Sequence, residues 1–304
     1  MQAEFLSLRA FNFVNATVHL WIFKKSLSAT KYKASYVQID EALKSQLIDV
    51  ARNEMIRLTE ASAYSYISQP NENSCLVTPS QDTDFSLLKA QVDRPEPEHL
   101  ISGINDLKGA EGYVVKFTSN NETVYAVKRS TSSWKTSYPK KYINIIFANG
   151  ELSAVENKSF SIERNFDFLS KDALIFISNK RGFESALTHK APYTQAFASL
   201  QRTPNFSSLF TNMQPLIEHI GSNSIQLRRM AIIEQKGFYS RPNFITTLMN
   251  VNNSRNWGLN FDPNTNQIIP CEQTVKVIMQ VLLDHRLISE ITSTTYDVPD
   301  TVEV

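Results

Sequence analysis

The chain has 304 residues, 42% of them hydrophobic and 20% charged, and a net charge of +1. That is enough chain for one large domain or two ordinary ones, and the composition excludes a disordered protein. Two distant cysteines, Cys75 and Cys271, exclude a disulfide scaffold and are expected to be reduced thiols, and no apolar run reaches the ~20 residues needed to cross a bilayer. Glu4 stands where a secretory signal needs basic residues, so a soluble cytoplasmic protein is expected.

The near-neutral total hides an uneven distribution. Residues 1–39 carry five basic and one acidic side chain, 40–100 five and eleven, 101–255 nineteen and eleven, and 256–304 two and seven. The middle block is therefore at +8, and local fields of that size, rather than net charge, govern polyanion binding.

Residues 10–40 alternate apolar and polar positions and predict two strands joined by a turn. Leu43, Leu47, Val50, Ile56 and Leu58 then fall at helical spacing, with Asp40 available as N-cap, which predicts a helix within Glu41 to Ile67. Ser68 to Asp84 holds Pro70 and Pro79 and reads as a loop. The run Asp93-Arg94-Pro95-Glu96-Pro97-Glu98 resembles a linker and suggests a boundary near residue 97, between an N-terminal α/β region (1–97) and a second domain (98–304).

Gly112 to Phe117 and Thr123 to Arg129 flank Asn120-Asn121, a hairpin signal because Asn tolerates left-handed turn geometry. A further strand is expected at Tyr142 to Phe147, and a second hairpin from Ser161 to Leu169 and Ala173 to Ser178. After Arg181 helical periods dominate, at 183–200, 206–220, 224–236 and 242–251. A short hairpin about Asp262-Pro263-Asn264, a last helix from Cys271 to Arg286 and a β-rich end from Glu290 to Val298 follow. The expected class is α+β, β-rich over 110–180 and mainly helical over 181–304.

Familiar catalytic signatures are missing. The eight glycines form neither GxGxxG nor GxxxxGK[ST], and there is no GxSxG elbow. His19, His99, His189, His219 and His285 have no metal-ligand spacing, so no metal or other cofactor is expected. One enzymatic signal remains: Glu156-Asn157-Lys158 has the ExK form found in metal-dependent nucleases, but residues 123–150 contain no acid to serve as the upstream carboxylate. Glu163, Asp167, Asp172 and Glu184 are a second carboxylate set, for which surface or paired roles are the simpler reading. The chain is expected not to be an enzyme, with a metal-dependent nuclease acting on invading DNA as the alternative.

What the middle block does offer is cations interleaved with aromatics. Lys128, Arg129, Lys135, Lys140 and Lys141 lie among Tyr125, Trp134, Tyr138 and Tyr142. Cations release counterions from phosphates and aromatic rings stack on exposed bases, so this pattern suits a nucleic acid; a solvated edge strand is the competing reading. Lys180 and Arg181 at a strand-to-helix junction, and Arg228 and Arg229 on a helix, are candidates to extend the surface, although adjacent helical side chains diverge by about 100°.

Three segments carry a family resemblance: ERNFDFLSKDALIFISNKRGFESALTH (Glu163 to His189), RRMAIIEQKGFYSRPNF (Arg228 to Phe244) and LLDHRLISEITSTTYDV (Leu282 to Val298). They include Asn-Lys-x-x-Phe-Glu at Asn179 to Glu184, and Leu282-Leu283-Asp284 followed by Ser289-Glu290-Ile291-Thr292. In this order, over roughly residues 110 to 298, the chain resembles the KwaB family, cytoplasmic subunits of the bacterial Kiwa anti-phage defence system. The resemblance implies a subunit that binds phage DNA without strong sequence preference and suppresses its replication and late transcription. It also implies action with the membrane subunit KwaA, and so recruitment to the inner membrane. A homo-oligomer, dimer or tetramer, is expected from the opposite charges of residues 40–100 and the basic middle. A purely structural subunit whose basic patch meets anionic lipid is a third reading.

Overall fold

Alternation sets the first two strands: β1 (Thr17–Lys25) and β2 (Tyr32–Val37) pair antiparallel, Ile22 opposite Ser35 and Lys24 opposite Lys33. They follow a short helix, α1 (Gln2–Arg9), and precede α2 (Glu41–Arg57). Asp40 caps α2 by accepting from the Leu43 amide at 2.8 Å, as the sequence predicts. In this computed structural model residues 1–101, 103–107, 109–130, 145–148, 151–154, 162–187, 191–289 and 294–298 are described. They divide into two compact units, Met1–Thr188 and His189–Val304.

The helix ends at Arg57, before the expected limit, because Glu60–Ala63 form β3 beside β4 (Ser74–Pro79). The segment expected to be a loop thus supplies a strand. Cys75-Leu76-Val77 is apolar without alternation because β4 is buried on both faces. Helix α3 (Phe85–Val92) leads to a hairpin, β5 (Gly112–Ser119) and β6 (Glu122–Arg129), turned by Asn120 and Asn121 at φ of 50° and 64°. β7 (Ile145–Ala148) and β8 (Glu151–Ala154) pair only with one another. β9 (Phe168–Lys171) and β10 (Leu174–Ile177) turn at Asp172, also at positive φ, and α4 (Lys180–Ala186) follows.

Eight strands make one sheet in the order β2-β1-β5-β6-β9-β10-β4-β3, antiparallel except for β3 on β4. One face packs on α1 and α2 through Phe5, Leu8, Leu47, Ala51 and Met55. The other packs on α3 and α4 through Phe85, Leu88, Val92, Phe183 and Ala186. The expected boundary near residue 97 falls inside this sheet, since β1 before it pairs with β5 after it and β4 pairs with β10. The Pro-Glu run is a surface turn, and the chain divides at Thr188.

The second unit is mainly helical: α5 (Ala191–Arg202), α6 (Pro204–Ser207), α7 (Gln214–Ile220), α8 (Ser224–Lys236), α9 (Phe244–Arg255) and α10 (Val275–Leu282). Asn223 caps α8 through the Ile225 and Gln226 amides, and Gly237 closes it in the left-handed conformation. The hairpin expected about Asp262 is reduced to a single bridge, Phe261 to Ile268. β11 (Arg286–Ile288) and β12 (Thr295–Asp297) form a terminal ribbon in which Arg286 lies opposite Asp297. The α+β class holds, with the sheet in the first unit and most helices in the second.

Asp93, just past α3, ties that helix to the sheet. Its carboxylate meets Lys89 Nζ at 2.7 Å and Lys116 Nζ at 2.8 Å, and accepts from the Tyr125 hydroxyl at 2.8 Å. Burial pushes its pKa up, but these three partners outweigh burial and hold it below the usual carboxylate value. A depressed carboxyl contributes stability above its unfolded pKa of about 3.9, and loses it as pH falls through the folded value. Asp93→Asn is expected to cost about 1–2 kcal/mol at neutral pH. Its melting temperature should approach that of the unaltered chain as pH falls below about 4; a gap constant with pH would refute the assignment.

Candidate functional site

The segment that reads most distinctively in the sequence folds as a knot around Asp167. This residue immediately precedes β9, its amide donating to the Val127 carbonyl at 2.8 Å, and its side chain is about 1% exposed. The carboxylate accepts from the Arg129 amide at 2.6 Å, from Asn179 Nδ2 at 2.8 Å and from Lys128 Nζ at 3.2 Å. The backbone carbonyl of Asp167 accepts from the Ser178 and Asn179 amides at 3.0 and 2.8 Å. Asn179 also caps α4 through the Gly182 amide at 3.1 Å, so one side chain joins helix start and buried acid. Gly182 must be glycine here: a Cβ would stand 2.2 Å from the Asp167 Cγ and 2.4 Å from both its oxygens.

Lys128 is 5% exposed and is also held by Glu163 at 2.6 Å, a carboxylate 53% exposed. Burial pulls the Lys128 pKa down, but the hydrogen bond to Glu163 and the charge of Asp167 outweigh it and leave it raised. Burial is the largest influence on Asp167 and pushes its carboxyl up, against the donors that pull it down. Both shifts follow from enclosing one ion pair in a low-dielectric interior.

Lys180 is 2% exposed and ends in a cage of carbonyls, donating to Ser65 at 2.9 Å, Tyr66 at 2.8 Å and Ser68 at 2.7 Å. Its ammonium lies 5.4 Å from the Tyr64 ring centroid, and the Tyr64 hydroxyl donates to Glu184 at 3.0 Å. Phe183 is fully buried. Each named residue of Asn-Lys-x-x-Phe-Glu therefore has a structural partner. The C-terminal Leu-Leu-Asp is similar: Leu282 and Leu283 are buried, and Asp284 leaves α10 at a φ of 59°.

These contacts correct two of the expected DNA-binding cations. Lys128 and Lys180 are interior groups whose hydrogen bonds are directed at protein acceptors, so neither presents its charge to a phosphate. Arg129 is half-buried, with Nη2 on Glu111 at 2.8 Å. Arg181 is exposed at the start of α4. In the second unit Arg229 is exposed on α8, with Nη1 3.3 Å from Gln226, and Arg228 beside it is half-buried. Lys135, Lys140 and Lys141 lie outside the described residues, as do Glu156 and Lys158.

Of the second carboxylate set only Glu163 and Asp167 come together, both on Lys128 Nζ, while Asp172 and Glu184 lie elsewhere. Asp167 is committed to Lys128, Asp172 to Lys171 at 3.2 Å and Glu184 to Tyr64. Among the described residues no three His, Cys, Asp or Glu side chains come together as metal ligands. Sequence reasoning named Asn179 only as part of the family motif and missed its capping role and Gly182; the available signal was an Asn three positions before a Gly at a strand-to-helix junction.

A family model described as Kiwa protein KwaB-like matches residues 107–292. The chain belongs to this KwaB-like family. Membership assigns it to Kiwa anti-phage defence. No curated protein and no solved structure matches. The KwaB-like region contains the Asp167 knot and strands β5, β6, β9 and β10, while β1–β4 of the same sheet precede it. No helix among the described residues is long and apolar enough to cross a membrane.

Proposed function

We propose that this KwaB-like chain binds DNA without strong sequence preference. On this reading it blocks phage DNA replication and transcription together with the membrane subunit KwaA, which recruits it to the inner membrane. The observation that carries the reading is the excess of nineteen basic over eleven acidic residues across 101–255, within a segment that largely coincides with the family match. With Lys128 and Lys180 turned inward, the candidate phosphate contacts are Lys135, Lys140, Lys141, Arg181, Arg228 and Arg229, with Arg129 supporting them. The chain assembles as a homo-oligomer and hydrolyses nothing: Glu156 and Lys158 have no upstream acid within 123–150.

A gel-shift titration with duplex and single-stranded DNA, with and without Mg²⁺, tests this. Binding through about six phosphates predicts an affinity that falls about a thousandfold between 50 and 200 mM salt, equally for unrelated sequences. Reversing Lys140 and Lys141 to Glu should weaken binding to all sequences alike, with the melting temperature of the variant measured alongside to show that it is folded. Salt-independent affinity, or no binding at low salt, refutes the reading. Cleavage with Mg²⁺ that is lost in Glu156→Ala establishes the nuclease instead.

A further inference from the structure

The Lys24–Lys33 pair is an unfavourable arrangement within the sheet. The two residues are directly opposite on β1 and β2, with Cβ atoms about 5 Å apart, where like charges destabilise a sheet. Elsewhere in this unit Lys31, Lys44, Lys89, Lys116, Lys128 and Lys171 each meet a carboxylate. Lys24 and Lys33 form no ion pair among the described residues, nor does Arg94, which follows α3.

The chain after Arg94 returns along the free edge of β2, where the Ile101 amide donates to the Tyr36 carbonyl at 3.0 Å. It encloses a cleft of about 390 Å³ lined by Lys24, Lys33, Arg94 and His99, with Ile22 and Ile101 as apolar wall. Two carboxylates also line it. Asp106 accepts from its own loop, at the Gly103 amide (3.1 Å), and Glu98 is exposed. Three cations from three segments converge with no protein anion paired to any of them among the described residues.

We propose that this cleft binds a small phosphorylated ligand carrying two or more phosphates, of the nucleotide or polyphosphate class, with Lys24, Lys33 and Arg94 holding the phosphates. Guanidinium and ammonium groups are the usual phosphate ligands, and an anion placed between Lys24 and Lys33 removes their repulsion. The volume falls in the range of small-molecule sites. A concave cleft of this size excludes duplex DNA, so the site is separate from the DNA surface proposed above. It also precedes the family-matched region.

Calorimetric titration and thermal shift of the full chain with tripolyphosphate, ADP and duplex DNA, at constant ionic strength, test the proposal. Tripolyphosphate or ADP should bind and raise the melting temperature. Lys33→Gln with Arg94→Gln should weaken that binding at least tenfold and leave DNA affinity unchanged. Lys33→Glu should raise the melting temperature without ligand, because it creates a cross-strand ion pair with Lys24, while abolishing the ligand-induced shift. The proposal is overturned if neither small anion binds at millimolar concentration, if the double variant binds it normally, or if DNA affinity falls in parallel.

Discussion

Asp167→Ala is expected to destabilise the first unit by about 3–5 kcal/mol, the range for removing one partner of a buried ion pair. The substitution leaves the Arg129 amide and the Asn179 side-chain amide without their acceptor, and reduces Lys128 to its half-exposed contact with Glu163. Asp167→Asn keeps an acceptor of the same shape and should cost less, which separates the hydrogen bonds from the charge. Replacing Asp167 and Lys128 together by apolar residues should recover part of the loss, because no uncompensated ion remains. Urea denaturation measures all three. A loss below about 1 kcal/mol for Asp167→Ala would show that the knot is peripheral to stability. At a temperature where Asp167→Ala remains folded, DNA affinity should be nearly unchanged, since the side chains of Asp167, Lys128 and Asn179 are directed at one another and not at a phosphate.

Lys180→Met should cost on the order of 3 kcal/mol. The methionine stem fills the lysine channel, but the carbonyls of Ser65, Tyr66 and Ser68 lose their shared charged donor. Segment 64–70 should then become the first site of limited proteolysis, because this ammonium is what gathers it. A protease pattern identical to that of the unaltered chain would contradict this role. A charge reversal at Lys180 would lower DNA binding by unfolding the strand-to-helix junction, whereas reversal at Arg181, one residue on and exposed, reports on the surface itself.

Local signals in the sequence were legible where short-range geometry decides the outcome. Asn120-Asn121 marks its turn because two left-handed residues are needed there, and Asp40 marks the start of α2 because a helix leaves amides to cap. Long-range pairing decided the rest. β4 reads as a loop because its apolar residues show no alternation and stand between prolines; its strand character comes from β10, about a hundred residues later. Lys128 and Lys180 read as surface charges because their partners, Glu163 and Asp167 for one and the 65–68 carbonyls for the other, are distant in sequence. The acid-free stretch that suggested a polyanion surface begins with strand β6, whose Lys128 faces inward.

The sheet order also constrains how the chain is made. Pro79 of β4 pairs with Leu174 of β10, about 95 residues downstream, a distance that takes on the order of 5–20 s to synthesise. Throughout that interval β4 has only the four-residue β3 beside it, and β1 waits similarly for β5. A nascent chain ending near residue 97 therefore carries apolar strands with open edges, the state in which chaperone capture or mispairing competes with folding. The first unit closes only when β9 and β10 emerge, and Asp167 just before that hairpin and Asn179 just after it then join its two ends.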